Sequence, residues 1–552
     1  MCDNLTGVCT CGTLSHHGHD HSEGHAHLPF HNLFGTLHES YFSQFADAPA
    51  LVGDDEATAL ARYEATKSPT PENLLTLAGA LCFQLRYKDA AEVYRRILRD
   101  APDNYAAKRK LALCMLKTRD FATARKLLAD CDAANPDSLD VVYRQGLCEF
   151  YDGDFERAAH YFEKCYPLSE DNGDMCIATI YWHALSLVRC NGNVAEAMNR
   201  YNPDIKIGHH LGYLLTCKLF SGEDTLANLT ETTAHADEMT RTILLYGVYH
   251  FEKMRAKRTA ARAALSEMLS LDTYWGSFAW IAAYGDGIAE GVIPDLAAVS
   301  ETLKNRLASY GEKGVAIAYS GGTDSACLAA YARLADIPAK AYLVCSALRS
   351  EKSLEDAEEL ACVVGINTEK IKINVLSDEN IIENSVLRCY YCKRALLSAV
   401  IEQAKKDGFD TVVDGTNASD DSAEREGMRA LSELGVRSPF RECGIDKKTV
   451  RLLARAAGLS VWDKPSDSCL ATRIATGERL TAELLGKVKR AEEKVAEAGL
   501  SGFRVKVKDN RATLLIREED EKKAEEAGKE LLDGIYEIFD GGYPSTGRRR
   551  SI

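Results

Sequence analysis

Six consecutive residues carry the densest chemistry of this 552-residue chain: Ser320, Gly321, Gly322, Thr323, Asp324 and Ser325. The apolar run before them, Val315–Tyr319, predicts a buried parallel strand, and residues 326–331 after them predict a helix. A strand, a glycine turn and a helix N-terminus make an anion site, because backbone N–H groups point outward and the helix dipole favours negative charge. Gly321 and Gly322 are expected to adopt positive φ and to let the backbone close on a phosphate. Ser320, Thr323 and Ser325 add hydroxyl donors. Asp324 is the odd member: a carboxylate repels phosphate unless a cation lies between, which implies Mg²⁺ shared with phosphate oxygens. The lysine of a GxxxxGK[ST] loop is missing, so this is a different phosphate loop.

Cysteine supplies the second reactive set. Cys389 and Cys392 form a CxxC at the mouth of a helix, where i and i+3 share a face and the helix N-terminus favours thiolate. Cys469 is a third candidate. Three thiolates can hold a 4Fe–4S cluster with one iron left open. They can equally hold zinc, with Cys443 as a fourth ligand, and the CxxC pair alone can do disulfide chemistry. Spacing ranks metal or cluster first and leaves the alternatives standing.

Elements must bring these residues together, and the length calls for more than one domain. The net charge of −15 argues against a general nucleic-acid binder. No secretory h-region and no run of transmembrane length is visible, so a cytoplasmic protein is expected. The 18 cysteines are then reduced thiols or metal ligands rather than a disulfide framework. Most of those before residue 220, Cys82 through Cys217, fall on helical apolar faces as small buried hydrophobes.

Residues 1–45 form a leader in which His16, His17, His19, His21, His25, His27 and His31 crowd with Cys2, Cys9 and Cys11. Lacking a hydrophobic period, it is expected to be disordered until it binds nickel, zinc or copper, the alternative being a plain solvated tail. Residues 55–290 contain a repeat. Leu77, Ala78, Ala90, Tyr94 and Pro102 recur as Leu111, Ala112, Ala124, Leu128 and Pro136, and Gly146, Ala158 and Phe162 continue the series. The 34-residue period is that of a tetratricopeptide repeat, which the segment resembles over about 70–170. An all-α solenoid follows, with a concave face for a protein partner or a stabilising, oligomerising role.

Residues 295–478 alternate strands (341–344, 371–375, 411–413) with helices (354–364, 395–406), predicting a doubly wound parallel sheet whose ligands bind beyond the strand C-termini. Residues 479–552 read as a small α+β domain: a helix at Ala482–Glu497 and a hairpin over 503–516 turning at Asp509-Asn510. Phe503, Val505 and Val507 alternate inward, leaving Arg504, Lys506 and Lys508 together on the other face, solvated or anion-binding.

The six-residue loop resembles the SGGxDS pyrophosphate loop of the PP-loop ATP pyrophosphatases, which cleave ATP to AMP and pyrophosphate and adenylate a carbonyl oxygen. Over 295–552 the resemblance is to the LarE family, the pyridinium-3,5-biscarboxylic acid mononucleotide sulfurtransferases that help build the nickel-pincer cofactor of lactate racemase. It rests on the phosphate loop, Arg388-Cys389-Tyr390-Tyr391-Cys392-Lys393, Asp414-Gly415-Thr416-Asn417, Gly435-Val436-Arg437-Ser438-Pro439-Phe440, Trp462-Asp463-Lys464-Pro465, Cys469-Leu470-Ala471 and Arg473-Ile474, in that order.

The resemblance implies an ATP- and Mg²⁺-dependent sulfurtransferase that adenylates a carboxylate of a pyridinium mononucleotide and makes a thiocarboxylate; separately, a homo-oligomer is expected. It implies Asp324 and Cys469 as catalytic groups, and Arg425, Arg473, Arg504 and Lys506 as phosphate or carboxylate contacts. Family members sacrifice one cysteine matching Cys469, or use three matching Cys389, Cys392 and Cys469 to hold a 4Fe–4S cluster carrying an extra sulfide; this chain has all three. It departs from the family at Glu424-Arg425-Glu426-Gly427, at Thr472 and at Lys506. The competing readings are a tRNA thiolation enzyme of the same superfamily, which needs a broad basic surface, and a repeat-based scaffold with a degenerate enzyme domain.

Overall fold

The computed structural model describes residues 39, 41, 44, 52–271, 274–420, 426–464, 469–500, 502–517, 520–539, 541 and 547–548. The leader histidines and cysteines, and Arg425, lie outside the described residues. The chain divides into two compact units, Met1–Asp295 and Leu296–Ile552. Among the described residues no helix is long and apolar enough to cross a membrane.

The period in the first unit is a period of helix pairs. Pro71–Phe83 pairs with Tyr87–Asp100, Tyr105–Lys117 with Phe121–Ala134, and Leu139–Asp152 with Phe155–Ser169. Thr70, Asn104, Asp120 and Asp154 cap four of these helices by accepting a first-turn amide. Ala78, Ala90, Ala112, Ala124 and Ala158 are fully buried where helices cross. Gly146 cannot be enlarged, because a Cβ there would lie 2.8 Å from the Phe162 ring. The period persists into Gly173–Arg189 and then breaks at the four-residue helix Ala195–Met198. Of the helical cysteines, Cys114, Cys131, Cys148, Cys165 and Cys217 are buried. Burial pushes the Cys148 and Cys165 thiols up to about 12, so both stay neutral.

Among the described residues these repeats present no open concave face. The side of the solenoid lined by the first helices of successive pairs is filled by the unit's own chain. The buried Lys117 Nζ donates to the Gly276 carbonyl and lies 3.6 Å from the Phe278 ring centroid. Arg119 donates to the Ile281 carbonyl at 3.0 Å and Tyr151 to that of Phe278 at 3.0 Å. Arg189 pairs with Asp286 at 2.6 Å, and the Tyr246 hydroxyl donates to the same carboxylate at 2.7 Å. The period could not show this, because the filling segment, around the helix Phe278–Ala289, lies outside the repeats it enters.

In the second unit four parallel strands, β1 (Val315–Tyr319), β2 (Ala339–Cys345), β3 (Thr368–Lys372) and β4 (Val412–Val413), line up in the order β3-β2-β1-β4. The chain winds outward from β1 to β3 and returns to the other side of β1. The order therefore reverses between β1 and β4, which opens a crevice at their C-terminal ends. β3 begins three residues before the expected 371 and ends at Lys372, where its partner β2 ends at Cys345. It is an edge strand whose residues are half-buried or exposed, so no apolar run marks it; Val375 instead opens a short 3-10 turn.

The small C-terminal elements are β5 (Arg504–Lys508) and β6 (Arg511–Ile516), antiparallel, with β7 (Gly547–Arg548) parallel to β6, and the helices Ala482–Glu497 and Glu521–Tyr536. Asp509 and Asn510 take φ of 50° and 52°, the primed turn that matches strand twist. One apolar core runs from Leu348 and Ile381 through Leu470, Val488 and Val505 to Phe539. Residues 296–552 expressed alone are expected to unfold in one cooperative thermal transition; a chain without a transition would show that the first unit is needed for folding.

Candidate active site

The phosphate loop is built at the β1 end of the crevice. Gly321 has φ of 72°, and a Cβ there would sit 2.3 Å from the Ala357 Cβ, so the position admits only glycine. Gly322 differs from expectation: at φ −80° and ψ 165° it caps the helix Thr323–Leu334 in extended geometry, with no side chain bonding the first-turn amides. Gly321→Ala should cost more than about 2 kcal/mol of stability and lose nucleotide affinity, whereas Gly322→Ala, whose Cβ meets nothing nearer than Ser320 Oγ at 3.5 Å, should cost under about 1 kcal/mol. Thermal melts of the two variants check this.

The three hydroxyls brace the loop rather than point outward as donors. Ser325 Oγ accepts from the Ser320 amide at 3.1 Å and donates to the Gly322 carbonyl at 3.2 Å. Thr323 Oγ1 donates to the Val461 carbonyl at 2.6 Å. Ser320 Oγ lies 3.1 Å from Ser325 Oγ and accepts from the Gly322 amide at 3.4 Å.

Asp324 has a cationic side chain of the protein beside it. Lys447 Nζ lies 2.5 Å from Asp324 Oδ2, and Asn417 Nδ2 donates to Oδ1 at 3.3 Å. Asn417 comes from the loop after β4, and in the same loop a Cβ on Gly415 would meet Asp324 Cβ at 2.8 Å. The two strand-end loops therefore interlock at the topological switch. Sequence reasoning missed Lys447. It lies 123 residues from its partner, at the start of the amphipathic helix Lys447–Ala456, and nothing local distinguishes it from Lys448.

A cavity of about 470 Å³ opens over the loop and reaches Cys469, Leu470 and Arg473, with Arg349, Lys352, Lys447, Lys464 and Lys489 on its walls. A second, of about 400 Å³, shares Ser320, Asp324 and Arg349 with the first and runs over Tyr342, Val344, Leu396 and Val400 to Lys393 and Asp414. Six lysines and arginines line the first against the carboxylates of Asp324, Asp356, Glu492 and Glu493, and Tyr342, Val344, Leu396, Leu397 and Val400 give the second an apolar wall, so together they suit a polyphosphate joined to an aromatic base.

A third cavity, about 390 Å³, lies behind the turn Leu470–Arg473 and is lined by Arg388, Arg473, Lys506 and Lys508. Burial, then Arg504, Arg473 and Arg388, hold the Lys506 ammonium below its usual range. Its Nζ donates to the Thr472 carbonyl at 2.5 Å. Arg473 lines the first and third cavities, and its guanidinium already grips Glu492 through two bonds of 2.8 and 3.2 Å. Arg504 lies in β5, beside the others in charge but not among the residues lining either cavity.

The cysteines meet at the same turn. Cys389 and Cys392 stand in the first two turns of the helix Arg388–Lys406. Arg388 ties the start of that helix to the Leu470–Arg473 turn: it donates to Asn384 Oδ1, to the Ala471 carbonyl at 3.1 Å and to Cys389 Sγ at 3.5 Å. The motif named Arg388, but only the fold gives it this bracing role. Burial, followed by Cys469 and Cys389, pushes the Cys392 thiol up to about 12, so desolvation overrides the helix N-terminus that was expected to favour thiolate. Cys469 lines the phosphate-loop cavity, which Cys389 and Cys392 do not. Cys443 stands at the end of the helix Pro439–Glu442 beside Glu442 and Arg306, away from this group. Among the described residues no set of three or more His, Cys, Asp or Glu is arranged as a ready metal chelate.

The chain is similar to several known proteins. Residues 84–144 match the tetratricopeptide repeat model and residues 296–385 the NAD synthase model. The chain is 37% identical over 215 residues to an uncharacterised protein of Synechocystis sp., covering 38% of this chain and 80% of that protein. It is 30% identical over 206 residues to the pyridinium-3,5-bisthiocarboxylic acid mononucleotide synthase of Lactiplantibacillus plantarum, covering 37% of this chain and 75% of that protein. Among solved structures, NMN synthetase from Francisella tularensis aligns with 31% of this chain and 75% of its own at 20% identity and a TM-score of 0.25. With tetratricopeptide repeats ahead of an ATP-using PP-loop domain, the chain belongs to the LarE family, that of the pyridinium-3,5-bisthiocarboxylic acid mononucleotide synthase.

Proposed function

We propose that this protein adenylates a carboxylate of a pyridinium dicarboxylate mononucleotide and replaces the AMP by sulfur, a step in nickel-pincer cofactor synthesis. One observation carries the reading: Cys469 and the phosphate loop line a single cavity. A carboxylate oxygen attacks the α-phosphorus of ATP and pyrophosphate leaves. A sulfur nucleophile then attacks the acyl carbon and AMP leaves. The open amides of the Thr323–Leu334 helix receive phosphate, Lys447 offsets the Asp324 carboxylate, and Arg349 and Lys352 face the polyphosphate. Asp324 is also the carboxylate placed to share Mg²⁺ with phosphate oxygens. The apolar cavity over Tyr342 and Val344 takes the nucleoside, and the cationic cavity of Arg388, Lys506 and Lys508 takes the phosphate of the mononucleotide.

Sulfur enters at Cys469. The donor set of Cys389, Cys392 and Cys469 fits a 4Fe–4S cluster in chemistry: three soft thiols close enough to repel one another's charge, beside a guanidinium. Such a cluster, when bound, supplies a transferable sulfur. A specific observation favours a second reading, in which the Cys469 sulfur itself is given up: Cys469 alone of the three opens on the cavity. There its thiolate attacks the acyl-adenylate, and loss of its Cα proton with C–S cleavage leaves a thiocarboxylate and dehydroalanine. The test of the whole proposal is AMP release: the purified chain with ATP, Mg²⁺ and the dicarboxylate mononucleotide should form AMP and pyrophosphate. Formation of AMP with tRNA and not with the mononucleotide would replace this reading.

A further inference from the structure

We propose that Cys82 and Cys114 of the repeat unit are a reversible oxidation site: a hydroperoxide joins them as a disulfide, with Cys82 attacking and Cys114 resolving. Their sulfurs lie 3.7 Å apart, although 32 positions separate them in sequence. The repeat itself makes this contact. Cys82 stands in the last turn of Pro71–Phe83 and Cys114 in the last turn of Tyr105–Lys117, the first helices of two successive pairs. A disulfide holds its sulfurs about 2.05 Å apart, so the two must close by under about 2 Å. Terminal turns fray first, so a shift of that size meets least resistance there.

The two thiols are not equivalent. Cys82 is half-buried and Cys114 fully buried. Burial pushes the Cys114 thiol well above its ordinary range, so it keeps its proton and donates toward the Cys82 sulfur. That contact holds the Cys82 thiol below its ordinary range against its own burial, and the Tyr94 hydroxyl and Lys110 act in the same direction. The reachable sulfur is thus the one with more thiolate character, and a second thiol waits beside it, which is the pattern of a thiol that oxidises reversibly.

The chemistry balances with the hydroperoxide as sole oxidant. The Cys82 thiolate attacks one peroxide oxygen, the O–O bond breaks, and the departing oxygen takes the proton that Cys82 has lost. Cys82 is then a sulfenic acid. The Cys114 sulfur attacks the Cys82 sulfur, the S–O bond breaks, and hydroxide leaves as water with the Cys114 proton. Two electrons pass from sulfur to oxygen, and two thiols become one disulfide. The new bond closes across the helix Tyr87–Asp100 and ties the first helices of both pairs together, one turn from the Lys117 that reaches Gly276. None of this depends on the reaction proposed for the second unit.

The test uses the full chain, reduced, freed of reductant and treated with a small excess of hydrogen peroxide. Remaining thiols are blocked with iodoacetamide in denaturant, and the chain is digested without reduction. Mass spectrometry should find the peptides of Cys82 and Cys114 joined, lighter by two hydrogens than their sum, and dithiothreitol should part them. Recovery of both residues as blocked free thiols, or of either joined to another cysteine, overturns the proposal. Cys114→Ser should leave Cys82 as a sulfenic acid that dimedone traps, and Cys82→Ser should leave Cys114 unoxidised. Dimedone on Cys114 in the Cys82→Ser chain, with none on Cys82 in the Cys114→Ser chain, overturns the assigned roles. If either variant lacks the parent's helical circular dichroism, the linkage found in the unaltered chain decides alone.

Discussion

Asp324→Ala should abolish AMP and pyrophosphate formation, a fall of about a thousandfold or more, while leaving the fold in place. The size follows from removing a preorganised charge at a phosphoryl-transfer centre, where one contact is worth about 10²–10³ in rate, and here several go together. The carboxylate holds Lys447 at 2.5 Å and Asn417 at 3.3 Å, so its loss frees an ammonium over the phosphates and unpins the loop after β4. The pair is partly open to solvent, and its contribution to stability is about 0–1 kcal/mol, so the melting temperature should barely move. Lys447→Ala makes the complementary defect: the carboxylate remains without its partner and repels ATP, raising KM more than it lowers kcat. Undiminished pyrophosphate release by Asp324→Ala would remove the loop from the reaction.

The second large effect concerns sulfur. If the three thiols hold a cluster, Cys389→Ala, Cys392→Ala and Cys469→Ala should each lose bound iron and sulfur transfer after anaerobic reconstitution, yet bind ATP as before. Losing one thiolate exposes a second iron and invites loss of the cluster. Cys392 adds a pH signature. Its thiol, pushed up to about 12, is protonated in the metal-free chain at neutral pH, so ligation must expel that proton and cluster retention should weaken as pH falls. The sacrificial route gives another pattern. Only Cys469→Ala abolishes transfer, the unaltered chain stops after one turnover, and mass spectrometry finds residue 469 lighter by the mass of H₂S. Sulfur transfer surviving in both Cys389→Ala and Cys392→Ala would rule out the cluster.

What the sequence made legible was local. Ser320 to Ser325 could be read because a strand, a turn and a helix start are contiguous, and the repeat because its small residues recur at a fixed interval. The partners of those residues were not legible. Lys447 reaches Asp324, and Arg388 reaches Ala471, only because the sheet order reverses beside β1 and the late loop folds back over the CxxC helix. Conformation also escaped where two glycines look alike: Gly321 takes positive φ and Gly322 does not, since only the first is pressed against Ala357. β3 was misplaced because an edge strand needs no apolar run, and the Cys392 thiol was misjudged because its burial is a tertiary property.

The filled bore of the repeat unit changes what kind of material it is. In an open solenoid each repeat touches only its neighbours, so it stretches like a spring and frays from its ends one repeat at a time. Here Lys117 grips a carbonyl 159 residues away, and Trp275 grips one 236 residues away. Such contacts turn a one-dimensional chain of repeats into a keyed block. Pulled from its termini, it should resist with almost no extension and then give way in a single rip rather than a sawtooth of equal steps.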